Sequence, residues 1–576
     1  MAWQKTFRMT IFRMTGSWLR RGAWVRPLLA VLVGLVTCVY RFNTLGGTFG
    51  GFDNDHFVPF AYAKQIQAGE RVLQDFEGLG LQGAWPSLTY ELSALAQEQF
   101  GNNLRSEGVL TVAAVGVAAA TTFLATSLLT PTGWALAATL MSVLVAPTLY
   151  NYPKVLALSV AILLITFYAR TPSRTLVVGG AILTAVAFLF RHDLAVYVAA
   201  GLLLGYVLTV DRKRAVGDAL VYGGLTLILL APSLGYVQRH EGVVQYVQDG
   251  LDLSRREARR TDLEQWPRFQ WPQLDQDSTG GLVAFFEVEE NGVAWLHYLV
   301  RLLPWLVVVV VWRARPDSQR PAARSAVLAI VGMTIFAVPL LVRGNVAVRL
   351  GDVGPLLAVI LAVACHALAR PAPPKSGVNR ALRLAVLVPL LVGTVLSVRT
   401  VGVVPSQIGV SRLLRGPESL RTRTLEVWHE LGTLPGAFLT RPIDSPPLLI
   451  AQYLNQCTAP SDRVIGMTYE PELMPIAGRL FGGGRLSVIP DYALHEHQQR
   501  RVVDRWKQQR VPLVLVEFEE FYDPSSTVAP LVHDYLLAEY EEAGQIIVGP
   551  DRSLRVFVKR GVPVVSRRDD GLPCLR

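Results

Sequence analysis

Runs rich in Leu, Val, Ala and Ile recur from Pro27 to Val398. Each comes close to the roughly 20 residues an α-helix needs to cross a hydrocarbon core. That recurrence limits the fold more than any other feature of the chain. It excludes a membrane β-barrel, whose signature is short segments of alternating polarity, and it predicts a polytopic α-helical membrane protein. Composition agrees: of 576 residues, 51% are hydrophobic and 17% charged, where a soluble chain carries about a quarter charged. Mean hydropathy is +0.34. We read eleven spans, centred on 27–41, 108–129, 133–150, 155–169, 175–190, 194–210, 217–235, 294–312, 325–342, 353–369 and 384–398.

The net charge of +10 is explained by orientation rather than by nucleic acid, because the basic residues flank the spans. Residues 1–26 hold Lys5, Arg8, Arg13, Arg20, Arg21 and Arg26 and no acid. They resemble the basic start of a signal peptide without a clear cleavage site, so an uncleaved first helix is expected. With a cytoplasmic N-terminus, the connections at 170–174, 211–216, 313–324 and 370–383 fall inside, and all four are basic, as the positive-inside rule requires. The turn at 131–133 is too short to vote. The long segments 42–107 and 236–293 and everything after Val398 then lie outside. The expected location is a bacterial plasma membrane, with an extracytoplasmic working face.

The polar region 399–576 reads as a second, α/β domain beside the membrane domain 1–398. Short apolar runs at 463–467, 511–518, 545–549 and 554–559 predict strands, and 495–509 and 528–543 predict helices between them. "FGGGR" (481–485) reads as a turn, since it joins no clear strand to a helix as a phosphate loop must. His495 and His497 are candidate metal ligands, but two apart they do not share a helix face, which favours a solvated helix. Cys457 and Cys574 would form a disulfide or remain two free thiols.

Several cations lie on the side the positive-inside rule disfavours. Lys154 opens a span; Arg191 sits in a turn with His192 and Asp193; Arg343 and Arg349 share a connection; Arg301 lies in the outer half of a span. Ionisable groups at membrane depth are costly and mark sites, so cations from separate loops predict an anionic ligand, most naturally a lipid-linked phosphate. The competing readings are snorkelling of Lys154 to headgroups and a structural ion pair in the Arg191–Asp193 turn. The basic run at 254–260, next to Trp266 and Trp271, reads as an interfacial segment.

Asp53 and Asp55 follow the first span and precede a run, 56–69, with apolar residues at helical spacing. That run predicts a helix lying along the interface. An acid there can simply cap the helix. Alternatively it is a general base. In sugar transfer from a polyprenyl-phosphate donor the phosphate is already a competent leaving group. What remains is to deprotonate the acceptor hydroxyl, which one carboxylate does, and to stabilise the departing phosphate, which cations do.

The stretch from Asp53 to Gly101, with its acid, its helix ending in Gly69 and its later "QDFEG", resembles the type C (GT-C) glycosyltransferases. The resemblance implies a multi-span GT-C fold, inverting transfer from a polyprenyl-phosphate-linked sugar, and a glycan, lipid or protein acceptor. It implies Asp55 as base with Asp53 assisting. Lys154, Arg191, Arg301, Arg343 and Arg349 would hold the lipid phosphate. Asp75, His56, Tyr152, His192 and Asp193 would contact substrate, "YPK" (152–154) and "RHD" (191–193) resembling motifs of bacterial members. A divalent cation (Mg or Mn) could join Asp53 and Asp55. The connection before the 353–369 span departs from the family pattern by offering Arg349 and Asp352. Frequent Ala, Val, Arg and Gly suggest a high-GC bacterium, hence an arabinose or mannose donor for envelope glycans. A transporter or flippase for lipid-linked glycans would show paired broken helices. A receptor would leave Asp55 facing bulk water.

Overall fold

In a bilayer every backbone polar group must be satisfied within its own segment or a closed sheet, and the chain meets this with helices. The structure, a computed structural model, describes residues 24–45, 52, 54–77, 87–145, 149–261, 266–271, 282–313, 321–341, 349–370, 380–400, 415–439, 446–489, 495–523, 528–549 and 552–576. Among them, nine helices are long and apolar enough to cross a membrane. Two shorter apolar helices, Thr132–Leu144 and Arg174–Phe190, complete the eleven predicted segments.

Helices Leu104–Leu129, Tyr152–Arg170 and Gly354–Ala369 are the most enclosed. Lipid tails offer helices no hydrophobic drive to associate, so close approach through small residues holds them together. Helix Val25–Asn43 shows the requirement: a Cβ on Gly116 would stand 2.2 Å from Cys38 Sγ and 3.0 Å from the Gly34 carbonyl oxygen. Near helix ends, arginines donate to main-chain carbonyls. Arg170 donates to the Leu128 carbonyl, Arg214 to Pro172 (2.8 Å) and Arg383 to Arg370 (2.9 Å).

The C-terminal α/β region carries a five-stranded sheet. Its strands are β1 (Arg463–Met467), β2 (Leu480–Phe481), β3 (Leu513–Val516), β4 (Tyr540–Gly549) and β5 (Arg552–Lys559), in the order β2-β1-β3-β5-β4. β1 runs parallel to β2 and β3, with Val464 opposite Leu513, whereas β5 is antiparallel to β3 and β4. Every residue of β3 is buried, as suits a central strand. All four expected strands are present, and helices Glu496–Gln508 and Pro530–Glu539 stand where helices are expected. The second helix is shorter than its apolar pattern predicts. From Tyr540 onward the chain pairs with β5, and the Tyr540 hydroxyl is fixed between Trp506 (2.6 Å) and the Val511 carbonyl (2.7 Å), so sheet pairing overrides local helical preference. Cys457 and Cys574 form a disulfide, while Cys38 and Cys365 are free. "FGGGR" is a turn, with Gly483 and Gly484 at positive φ.

The helix after Asp55 corrects one expectation. Phe57–Gln67 does not lie along an interface with its apolar side in lipid: eight of its eleven residues are buried in protein. Tyr62 stacks on Tyr90 at 4.5 Å and meets Phe76 and Phe481 edge-on or tilted. The helix is covered because the C-terminal region sits on it. Gln65 donates to the Phe481 carbonyl (3.2 Å), and Arg463 pairs with Glu70.

A second tie is electrostatic. Glu77 is buried and receives three guanidinium groups from the C-terminal region: Arg485 (2.6 Å), Arg501 (3.0 Å) and Arg505 (3.1 Å). Its backbone N–H donates to the Gly484 carbonyl at 2.8 Å. Gly484 has φ +73°, and a Cβ there would stand 2.8 Å from the Asp75 carbonyl oxygen. Burial pushes the Glu77 carboxyl up, but the three arginines outweigh it and hold it below the ordinary carboxylate value. A depressed carboxyl stabilises the fold above its unfolded pKa, and that contribution is lost as pH falls through the folded value. Glu77→Gln is expected to destabilise by about 3–5 kcal/mol, since Arg485 and Arg505 lose their buried carboxylate and Arg501 is left with Glu241 alone. Thermal unfolding in detergent from pH 7 downward checks this, with the gap between wild type and variant closing as Glu77 protonates in acid.

Candidate active site

Three cations and three carboxylates meet where the first connection, three helix starts and the C-terminal region come together. Asp55 lies in the single turn Asn54–His56, just before helix Phe57–Gln67. The N-cap of that helix is His56, with no side-chain cap, so Asp55 does not serve as its cap. Its carboxylate accepts a hydrogen bond from the Tyr469 hydroxyl of the C-terminal region, and the Tyr150 hydroxyl is within hydrogen-bonding reach. Asp55 is half-buried. Beside it, His56 Nε2 accepts the Leu149 N–H at 2.7 Å, and its ring meets Phe52 and Tyr150 edge-on. His56 thereby pins the 149–151 turn that leads into helix Tyr152–Arg170.

Lys154 lies in the first turn of that helix and is 2% exposed, so it does not snorkel. Its ammonium donates to Asp352 Oδ2 at 2.6 Å, and Arg349 stands 3.9 Å from the same oxygen. Asp352 is fully buried, and its other oxygen, Oδ1, has no hydrogen-bond partner. Tyr150 lies within electrostatic reach of Asp55, Arg349 and Asp352, and Lys154 within reach of Arg191, Asp193 and Arg349. These contacts tie the residues of four separate segments into one cluster.

The Arg191–Asp193 turn is the ion pair that its spacing allows. Arg191 ends helix Arg174–Phe190 in extended backbone and makes two 3.0 Å hydrogen bonds to Asp193, whose Oδ1 also accepts the Leu194 N–H. His192 turns away to bond the Tyr246 hydroxyl at 2.6 Å. Tyr152 is buried against Phe190, with no hydrogen bond to its hydroxyl.

Other predicted residues fall elsewhere. Arg301 lies over the Trp266 ring at 4.1 Å, near His297, in a cluster of its own. Asp75 accepts the Arg71 N–H at 2.8 Å within its own turn, and Glu77, two residues on, is the buried hub that sequence reasoning passed over. Asp53 and Arg343 lie outside the described residues. Sequence reasoning also passed over Tyr150 and Tyr469 as site residues. Tyr469 follows β1, and loops at the carboxyl ends of parallel strands are where ligands meet such sheets; that was the available signal. The helix expected around His495 and His497 forms, with both histidines partly exposed, but they are not free of partners: His497 bonds Asp249 at 3.1 Å, and His495 stands 3.7 Å from Asp252.

Fold and site together define a multi-span helical membrane protein with a buried cluster of charged residues beside a C-terminal α/β region. The chain is similar to ArnT from Cupriavidus metallidurans bound to undecaprenyl phosphate, with 13% identity, a TM-score of 0.47, and 94% of this chain and 99% of that one covered. It is similar to the Archaeoglobus fulgidus oligosaccharyltransferase, with 11% identity, a TM-score of 0.42, and 91% and 73% covered. It is also similar to the arabinofuranosyltransferase AftD from Mycobacteria, with 13% identity, a TM-score of 0.40, and 92% and 40% covered. No family model and no curated protein sequence matches.

Breaking a buried pair by removing one partner costs about 3–5 kcal/mol, while replacing both by apolar groups is often neutral. Lys154→Ala is therefore expected to lower thermal stability sharply, and the Lys154→Met/Asp352→Leu double variant to recover most of the loss. Unfolding curves of wild type, Lys154→Ala and the double variant read this directly.

Proposed function

We propose that the protein is an inverting glycosyltransferase of the membrane, moving a sugar from a polyprenyl-phosphate donor to a cell-envelope glycan, lipid or protein acceptor. The observation that carries this reading is the meeting of Asp55 with the Lys154–Arg349–Asp352 cluster around Tyr150. Near that cluster Lys154, Arg191 and Arg349 face the carboxylates Asp193 and Asp352, an excess of one positive charge opposite Asp55. Such a cluster suits an anionic group held beside a base.

Asp55 takes the proton of the acceptor hydroxyl as its oxygen attacks the anomeric carbon. The bond from that carbon to the phosphate oxygen breaks on the opposite face, inverting the centre, and the polyprenyl phosphate leaves with the electron pair. Lys154, Arg191 and Arg349 stabilise the charge that grows on it. Arg343 would add to them from the connection it shares with Arg349. Tyr469 and Tyr150 orient the Asp55 carboxylate. Asp53 would assist, and with Asp55 could hold a divalent cation against the donor phosphate, although the Tyr469 and Tyr150 hydroxyls already occupy part of the Asp55 coordination. The disulfide supports an extracytoplasmic C-terminal region, since such bonds persist in oxidising compartments. An arabinose or mannose donor fits the reading. The enclosure of Asp55 by tyrosines favours an enzyme over a receptor, whose acid would face bulk water.

Asp55→Asn is expected to reduce transfer from a polyprenyl-phosphate sugar by about 10²–10⁴-fold with unfolding unchanged. Tyr469→Phe should cost about tenfold, the worth of one hydrogen bond. Radiolabelled sugar transfer in reconstituted vesicles measures both; full activity in Asp55→Asn and in Asp53→Asn would remove the base assignment.

A further inference from the structure

We infer that Glu241, Asp249 and His497 form a zinc site that joins the membrane helices to the C-terminal region. The three residues come from separate elements. Glu241 caps the long helix Arg212–His240, Asp249 lies on helix Val243–Thr261, and His497 is in the first turn of helix Glu496–Gln508. Gly242, at φ +87°, makes the sharp turn that sets the first two helices at an angle. One carboxylate oxygen from each acid and a ring nitrogen of His497 lie within 4.8 Å of one another.

Two features make this more than an acidic cluster. The Glu241 side chain is 3% exposed, and Arg501 takes its Oε1 at 2.9 Å, yet its Oε2 is buried with no hydrogen-bond partner. A buried carboxylate oxygen without a donor is costly, and a cation beside it would satisfy it. Burial accordingly pushes the Glu241 carboxyl up, against the opposing pull of Arg501. The second feature is a built outer shell. The Asp249 side chain is 4% exposed, and Gln245 (2.7 Å) and Gln498 (2.8 Å) donate to its two oxygens and fix its orientation, the kind of support that ligating carboxylates receive.

The donor set chooses the ion. Calcium and magnesium take oxygen ligands alone, whereas two carboxylates and an imidazole suit zinc. Ligands at about 2.0–2.1 Å from a tetrahedral zinc stand roughly 3.3 Å apart, and His497 Nε2 is 3.1 Å from Asp249 Oδ2. Zinc would displace the proton now shared between them, with water in the fourth position. His497 is 40% exposed, which leaves the ion a way in.

The site is separate from Asp55, and its test does not use sugar transfer. Full-length protein in detergent, stripped with chelator, is titrated with Zn²⁺ by calorimetry, and its unfolding temperature is followed. One equivalent is expected to bind and to raise the unfolding temperature. Glu241→Gln and His497→Ala should each weaken binding at least tenfold, while Asp55→Asn should leave it intact. Co²⁺ added in place of Zn²⁺ should give visible absorption bands that the Glu241→Gln variant lacks. Absence of saturable binding, or wild-type affinity in both variants, would overturn the assignment.

Discussion

A charge buried among membrane-spanning helices must be paired, and the pairing of Lys154 with Asp352 sets the geometry around it. The lysine opens helix Tyr152–Arg170 and the aspartate lies in the turn Leu350–Val353, which leads into Gly354–Ala369. Joining them aligns the starts of two of the most enclosed helices. Arg349, on the same turn, is drawn to the same carboxylate. The pair therefore does two things at once: it fixes helix ends, and it concentrates positive charge at one spot. A ligand phosphate arriving there would meet an ammonium already desolvated and oriented, which is where electrostatic stabilisation is strongest.

The first connection faces this spot because protein, not lipid, covers it. Helix Phe57–Gln67 is wedged between Tyr90, Phe76 and Phe481, and Glu77 locks the following turn to three arginines of the C-terminal region. Tyr469 then reaches Asp55 from above. The C-terminal region thus forms part of the surroundings of Asp55. The Glu241–Asp249–His497 cluster lies along the same junction, on the next helix pair.

How much of this was legible depended on the range of the interaction. The eleven segments follow from local hydropathy, and the four strands from short apolar runs in a polar region, so both could be read from the chain. Asp55, Lys154 and Arg191 stood out because a charge near a span is costly wherever the chain goes. Glu77 and Tyr469 did not stand out, and His497 was read as part of a solvated helix. Each owes its role to a partner hundreds of residues away: Arg485, Asp55 and Asp249 respectively. Tyr540 and the residues after it were misread as helix for the same reason, since their strand exists only through pairing with β5. The helix Phe57–Gln67 was expected at a lipid interface because an apolar face does not state whether lipid or protein will cover it.

The account stands on a carboxylate and several cations surrounding one ligand. A density map of the full-length protein with a polyprenyl-phosphate-linked sugar bound tests this most directly. The account predicts the phosphate among Lys154, Arg191 and Arg349, with the anomeric carbon turned toward Asp55. A phosphate bound away from these cations, or a sugar whose anomeric carbon faces away from Asp55, would contradict it.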